Sequence, residues 1–244
     1  MFKKIGIGVA ALGAVLFGVY MCFIRPWHLR WGATDEEVQR SLPGDDQVPN
    51  PFVTATRAVA IDAPPEQVWP WLVQMGYRRA GWYAFERFDN DNIPSAEEII
   101  PALQHLDIGQ VIGEEGLAVQ AIEPNRLLLL AFHYPKTEWV LKQGFWPKFG
   151  DCSWSILLDP IDAGQRTRLV LRMRYGCRLG LHVLYWPLFE PADFLSERKT
   201  LLGIKQRAER ASRQTPEAIG ATGHRQPRPD EPVIGGSQVE IKAT

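Results

Sequence analysis

Thr167-Arg168-Leu169-Val170-Leu171-Arg172-Met173-Arg174-Tyr175-Gly176-Cys177 separates its charged and apolar residues by parity. Arg168, Arg172 and Arg174 fall on one face, while Leu169, Leu171, Met173, Tyr175 and Cys177 fall on the other, the period-2 pattern of a half-buried strand. Just upstream, Asp151 to Asp159 carries Trp154, Ile156 and Leu158 on a matching apolar face, and Ile161-Asp162-Ala163-Gly164-Gln165-Arg166 supplies the tip of a hairpin. Working back, Ile108 to Ile112, Leu117 to Ile122 and Arg126 to His133 are three further strand-like runs. Gly113-Glu114-Glu115-Gly116 and Glu123-Pro124-Asn125 separate them at hairpin length, so the segment reads as an antiparallel meander.

On either side of this meander the period changes. Val53 to Asp62 is rich in Val, Thr and Ile and reads as a first strand, ended by Ala63-Pro64-Pro65. A helix follows, opened by Pro65, with Val68, Leu72 and Met75 on one face, a kink at Pro70 and Gly76 at its end. Tyr83 to Asn90 and Ser95 to Leu103 read as short helices, the second with a capping-box start in Ser95-Ala96-Glu97-Glu98. Beyond the meander, Glu190 to Arg213 reads as a long helix entered through Pro191, with Phe194, Leu201, Ile204 and Ala208 on one stripe. The order β-α-α-β-β-β-β-β-α defines an α+β domain over residues 53–213. From Gln214 to Thr244 the chain has four prolines, four glycines and no aromatic residue. Such a segment buries too little apolar area to offset its ordering entropy and reads as a disordered tail.

The amino terminus belongs to another class of structure. After the basic residues 1–4, Ile5 to Ile24 holds no charge, and twenty residues at about 1.5 Å rise cover the roughly 30 Å apolar thickness of a bilayer. A signal peptide would have a shorter apolar core and a small-x-small cleavage site, whereas Met21-Cys22-Phe23-Ile24-Arg25-Pro26 follows here. The reading is a single-pass membrane anchor. Lys3 and Lys4 on one side are matched by Arg25, Arg30 and Arg40 on the other, so the charge rule leaves the side of the domain open. Trp27 and Trp31 lie where aromatic rings meet headgroups. Gly6, Ala10, Ala14, Gly18 and Cys22 form a stripe of small residues that allows self-association through the helix, although a glycine-rich composition produces such stripes unaided. Residues 25–52 read as an irregular connector draped over the domain, punctuated by Pro43-Gly44-Asp45-Asp46 and Pro49-Asn50-Pro51.

Composition closes off several functions. With 27 basic and 28 acidic residues the net charge is -1, which gives no field for collecting nucleic-acid phosphates. Cys22, Cys152 and Cys177 have no zinc-type spacing, and no metal or other cofactor is indicated. Cys152 and Cys177 share a predicted face and read either as two core thiols or as a disulfide outside the cytoplasm. There is no GxSxG, HExxH or Walker loop, and the five histidines share no motif with a nucleophile. Gly6-Ile7-Gly8-Val9-Ala10-Ala11 fits a dinucleotide fingerprint only by accident, since almost no strand precedes it and no acidic residue stands at the ribose-binding distance.

The element order resembles the helix-grip fold of the START-like, or SRPBCC, superfamily, in which a curved sheet wraps the final helix. Trp31-Gly32-Ala33-Thr34-Asp35, Ile61 to Leu72, Arg79-Ala80-Gly81-Trp82-Tyr83, and Glu190-Pro191-Ala192-Asp193-Phe194 with Glu197-Arg198-Lys199 are similar to an actinobacterial, membrane-anchored subgroup. That resemblance covers Trp31 to Arg213. It implies a cavity between the final helix and the concave sheet face, lined by Trp154, Ile156, Met173 and Tyr175 from the strands and by Phe194 and Leu201 from the helix. Trp82, Tyr83 and Glu86, with Phe85 and Phe88 nearby, would roof it. The strand and helix residues are suited also to plain core packing, and the roof residues to packing against the sheet edge. Arg198 puts a cation on the helix stripe, either toward a ligand oxygen or turned outward. In residues 133–150, Tyr134, Trp139, Phe145 and Trp146 alternate with lysines, a composition suited to a membrane-touching loop or a packed lid.

Three functions are compatible with this reading. One is a membrane-tethered domain that binds a lipid-like or aromatic small molecule without reaction. The second is a polyketide cyclase-like enzyme using the same cavity. The third is a protein-interaction module with no cavity.

Overall fold

The computed structural model describes residues 2–113, 116–133, 151–176 and 182–222. Helix α1, Phe2–Val19, continues through one π-helical turn, Tyr20–Ile24, into α2, Arg25–Leu29. The wide turn has a local cause. Pro26 cannot donate to the ladder and would crowd the carbonyl four residues back, and Arg25 bonds instead to the Tyr20 carbonyl five residues earlier. The connector is therefore not irregular from Arg25 onward. It also contains α3, Asp35–Gln39, which Thr34 and Glu37 close with a reciprocal capping box.

Strand β1, Val53–Ile61, precedes α4, Pro65–Gln74, which keeps Pro70 inside it, and the four-residue α5, Glu86–Asp89. Strands β2, Ala118–Glu123, β3, Leu127–Phe132, β4, Cys152–Ile161, and β5, Arg166–Tyr175, complete the sheet. Helix α6, His182–Thr222, ends the described chain. The five strands are antiparallel in the order β1-β5-β4-β3-β2. The fold is α+β, with a curved antiparallel sheet and a long C-terminal helix.

Several boundaries differ from those expected. The run Ile108 to Ile112 forms only an isolated bridge, Val111 to Ala118, so the sheet has five strands rather than six. Ser95-Ala96-Glu97-Glu98 caps no helix. The Ser95 hydroxyl accepts the Tyr83 N–H at 3.2 Å, and Glu97 pairs with Arg207 and Arg210 of α6, so tertiary partners replace the local ones. Pro191 lies inside α6 rather than at its entrance, and α6 passes Gln214, where the tail was expected to begin. Register sets Cys152 opposite Tyr175 rather than opposite position 177, and Cys177 lies outside the described residues.

The two sheet faces are buried by different means. On the concave face Val59, Leu128, Leu130, Ile156, Leu158, Leu169 and Leu171 pack with α4 and with Leu201, Ile204 and Ala208 of α6. On the convex face Ala58, Leu127, Leu129, Leu157 and Val170 pack under Leu42. The arginines of β5 were expected to face solvent, but the connector covers them. Arg168 binds Glu37 through two contacts of 2.7 and 2.8 Å. Arg172, 3% exposed, donates to the carbonyls of Glu37, Val38 and Arg40 and pairs with Asp45 at 3.0 Å. A guanidinium presents five donors in a planar fork, which suits a segment that has no sheet partner for its own carbonyls.

Replacing Arg172 with Met should therefore cost about 3 kcal/mol of unfolding free energy by leaving three carbonyls unpaired and Asp45 with Arg174 as its remaining cation. Thr34→Ala, which removes only the α3 cap, should cost about 1 kcal/mol. Denaturant titration of both variants checks the ranking, and equal costs would mean that the connector is not held by Arg172.

Candidate functional site

Residues directly opposite each other share a face, so register resolves the concave surface into successive rows. Val53, Tyr175, Cys152 and Phe132 form one row, and Ala55, Met173, Trp154 and Leu130 form the next. Arg57, Leu171, Ile156 and Leu128 follow. The third row thus opens with a cation on an otherwise apolar face. Arg57 is 0% exposed.

Its partners come from two directions. Nε donates to the His28 carbonyl at 3.0 Å, and Nη1 bonds Glu197 and, at 3.3 Å, Asp193 on α6. The guanidinium also sits 5.3 Å from the Phe194 ring centroid, within cation–π range. Arg57 Nη2 and Glu197 Oε1, the second terminal atoms of the two bonded groups, are both buried without a hydrogen-bond partner. One turn back, Glu190 receives Arg25 through two bonds of 2.7 Å and the Tyr20 hydroxyl at 3.1 Å, and the same hydroxyl lies 3.1 Å from His28 Nε2. Glu190, Asp193, Phe194 and Glu197 follow one another at helical spacing, which brings one face of α6 onto β1 and α2 together.

Burial pushes the Glu197 carboxyl up to about 8, and the neighbouring Asp193 charge adds to that, against the opposing pull of Arg57. Its chemistry is that of a carboxylic acid able to exchange a proton near neutrality.

The residues expected from sequence differ in where the structure places them. Met173, Phe194 and Leu201 are buried on the concave side, while Trp82, Trp154 and Tyr175 are half-buried around the row that holds Met173. Trp82 meets Trp154 edge-on at 5.7 Å. Tyr83 is wedged between α4 and α6: its hydroxyl donates to the Trp71 carbonyl at 3.0 Å and accepts from Gln74 at 3.0 Å, and Arg207 stacks on its ring. Gly203 makes that contact possible, because a Cβ there would lie 2.6 Å from the Tyr83 carbonyl oxygen. Glu86 is half-buried; burial pushes its carboxyl up, but bonds from its own backbone and Ser95, together with Lys199, outweigh this and hold it below the ordinary range.

Arg198 turns outward and stacks on Trp31 at 4.9 Å, so the cation of the concave site is Arg57 instead. Trp31 packs against the core and meets Phe194 at 6.3 Å, whereas Trp27 is 56% exposed. Trp139 and Trp146 lie outside the described residues. Sequence reasoning missed Arg57, Asp193 and Glu197, although each left a signal. Arg57 is the one charge at the inward parity of Val53, Ala55, Val59 and Ile61, and the two acids share the stripe of Phe194 and Leu201.

Among known proteins, no family model and no curated protein matches the chain. Solved structures similar to it include protein MLL2253 from Mesorhizobium loti, 15% identical over 65% of this chain and 98% of that one, TM-score 0.38. The di-domain ARO/CYC BexL of the BE-7585A biosynthetic pathway is 15% identical over 65% of this chain and 47% of that one, TM-score 0.38. Ara h 8.0201 is 14% identical over 66% of this chain and 98% of that one, TM-score 0.31.

The raised Glu197 carboxyl has a consequence for stability. The folded chain keeps that proton up to about pH 8, while an unfolded carboxyl releases it near its ordinary 4.5. Between these values the folded state binds more protons, so stability declines as pH rises. The melting temperature of the full chain in detergent should fall from about pH 5.5 to about pH 8.5, and Glu197→Gln should reduce that slope, the remainder coming from Asp193, whose carboxyl burial also pushes up. An unchanged slope in the variant would assign the effect to another group.

Proposed function

We propose that this chain is a membrane-tethered binding domain for an apolar small molecule, lipid-like or aromatic, that carries a polar group. The observation carrying this reading is the pair of buried, unpartnered atoms on the concave face, Arg57 Nη2 and Glu197 Oε1. Buried polar atoms are costly to leave unpaired, by roughly 1 to 3 kcal/mol each, so a bound group that satisfies both is favoured there. The half-buried rings of Trp82, Trp154 and Tyr175, packed over the buried Met173, offer the apolar surface along which the rest of such a molecule lies.

Tethering rests on the first helix. Ala11–Leu29 is long and apolar enough to cross a membrane or to act as a signal sequence. Leu12, Val15, Leu16 and Phe17 are each more than half exposed along it, a face that lipid covers at no cost. The helix is retained as an anchor in this reading, because Arg25 and Tyr20 tie its end to Glu190 of the domain. The domain therefore stands against the bilayer that holds its ligand. Loop residues Trp139 and Trp146 are proposed to touch the same surface.

A cyclase-like enzyme is the second reading, favoured by the raised acid Glu197. That reading requires that Glu197→Gln still bind ligand but yield no cyclised product from a linear polyketone.

Binding is tested on the full chain purified from cells. Mass spectrometry of its organic extract should show an apolar compound enriched over an extract of residues 1–30 fused to an unrelated domain. Trp154→Ala and Met173→Ala should each lower its recovery about tenfold, the loss of about 1.4 kcal/mol expected when a well-packed anchor is truncated. No enrichment in the unmodified chain would defeat the proposal.

A further inference from the structure

Helix α6 is held beside the anchor by a series of contacts whose numbers rise together. Glu190 meets Tyr20 and Arg25, Phe194 meets Trp27, His28 and Trp31, and Arg198 meets Trp31. Positions increase in the same direction on both sides, so this part of α6 runs roughly parallel to the end of the anchor. Followed backward from Glu190, that contact order directs α6 toward the apolar part of α1.

The sequence of that stretch is His182-Val183-Leu184-Tyr185-Trp186-Pro187-Leu188-Phe189, with no acidic residue, lysine or arginine. The residue that follows it, Glu190, is bonded to Tyr20, itself within Ile5 to Ile24. Eight residues of helix extend about 12 Å, enough to pass the headgroups and reach the hydrocarbon boundary. Tyr and Trp are the residues that favour this depth.

We infer that the first two turns of α6, His182 to Phe189, are a second membrane element that enters the lipid beside the anchor. This rests on the anchor reading above. The bilayer then holds both ends of the charged cluster: α1 leads to Arg25 and His28, and α6 leads to Glu190, Asp193 and Glu197. The domain is fixed to the membrane by two parallel helical segments rather than by a swivelling tether, and the α6 end of the ligand site faces the lipid.

The test uses the full chain in phosphatidylcholine vesicles, with Cys22, Cys152 and Cys177 replaced by Ala. A single cysteine is introduced at Gly13, Leu184, Leu188 or Arg213 and labelled with an environment-sensitive nitrobenzoxadiazole. Vesicles containing doxyl-labelled phosphatidylcholine should quench labels at Gly13 and at one or both of Leu184 and Leu188, and leave Arg213 bright. Quenching by lipid separates membrane contact from burial in protein, and the two α6 positions guard against one variant failing to fold. A quenched Gly13 with both α6 labels bright overturns this inference alone. An unquenched Gly13 overturns the anchor reading, and the inference with it.

Discussion

Arg57 is the one charged side chain on the concave side of β1, and it joins three separate pieces of the molecule. Through Glu197 and Asp193 it holds α6, and through the His28 carbonyl it holds α2. Removing such a cation would leave the neighbouring acids Asp193 and Glu197 without their shared donor in a region of low dielectric, where an unpaired buried polar group is costly. An apolar replacement of the whole cluster could pack equally well, so the ions are not there for stability alone. They impose a particular geometry. In this position of α6 the spacing of Glu190, Asp193 and Glu197 matches Arg25 and Arg57.

That constraint explains why the two halves of the concave face differ. Beyond Arg57, toward Val59 and Ile61, α6 lies close to the sheet, and Leu201, Ile204 and Ala208 are almost completely buried. On the other side, toward Ala55, the rings of Trp82, Trp154 and Tyr175 are only half-buried. Gly203 reinforces the close half, since a side chain there would strike the Tyr83 backbone. Tyr83 itself holds a positive φ of 59°, a strained conformation for a bulky residue that its buried hydrogen bonds to Trp71 and Gln74 keep in place.

Much of this architecture was legible because it depends on periodicity. Alternation in Thr167 to Cys177 located β5 and the face of Trp154, Ile156 and Leu158, since packing against a core imposes exactly one parity. The same signal misled where burial is polar. Arg168 and Arg172 read as solvent-facing because charges usually are, yet a connector rich in carboxylates and free carbonyls covers them. Thr34-Asp35-Glu36-Glu37 carried a capping box that the surrounding turn residues obscured, whereas Ser95-Ala96-Glu97-Glu98 carried the same pattern and formed no helix. Local patterns state what a segment can do; Arg207 and Arg210, more than a hundred positions away, decide which option Glu97 takes.

The site was less legible for a related reason. Trp82, Trp154, Met173 and Phe194 announce themselves by size and parity, but nothing in β1 alone distinguishes Arg57 from a residue at a frayed edge. Parity within β1 marks Arg57 only as an inward charge, and its meaning comes from α6, some 140 positions later, where acids on an apolar stripe would otherwise count as a defect. Taken together, the inward cation on β1 and the inward acids on α6 are each improbable alone and mutually explanatory as a pair. The arrangement also relates the N-terminal helix to the site physically. Because the apolar N-terminal helix ends in the residues that bond this cluster, the way that helix leaves the domain and the chemistry of the concave face are set by the same bonds.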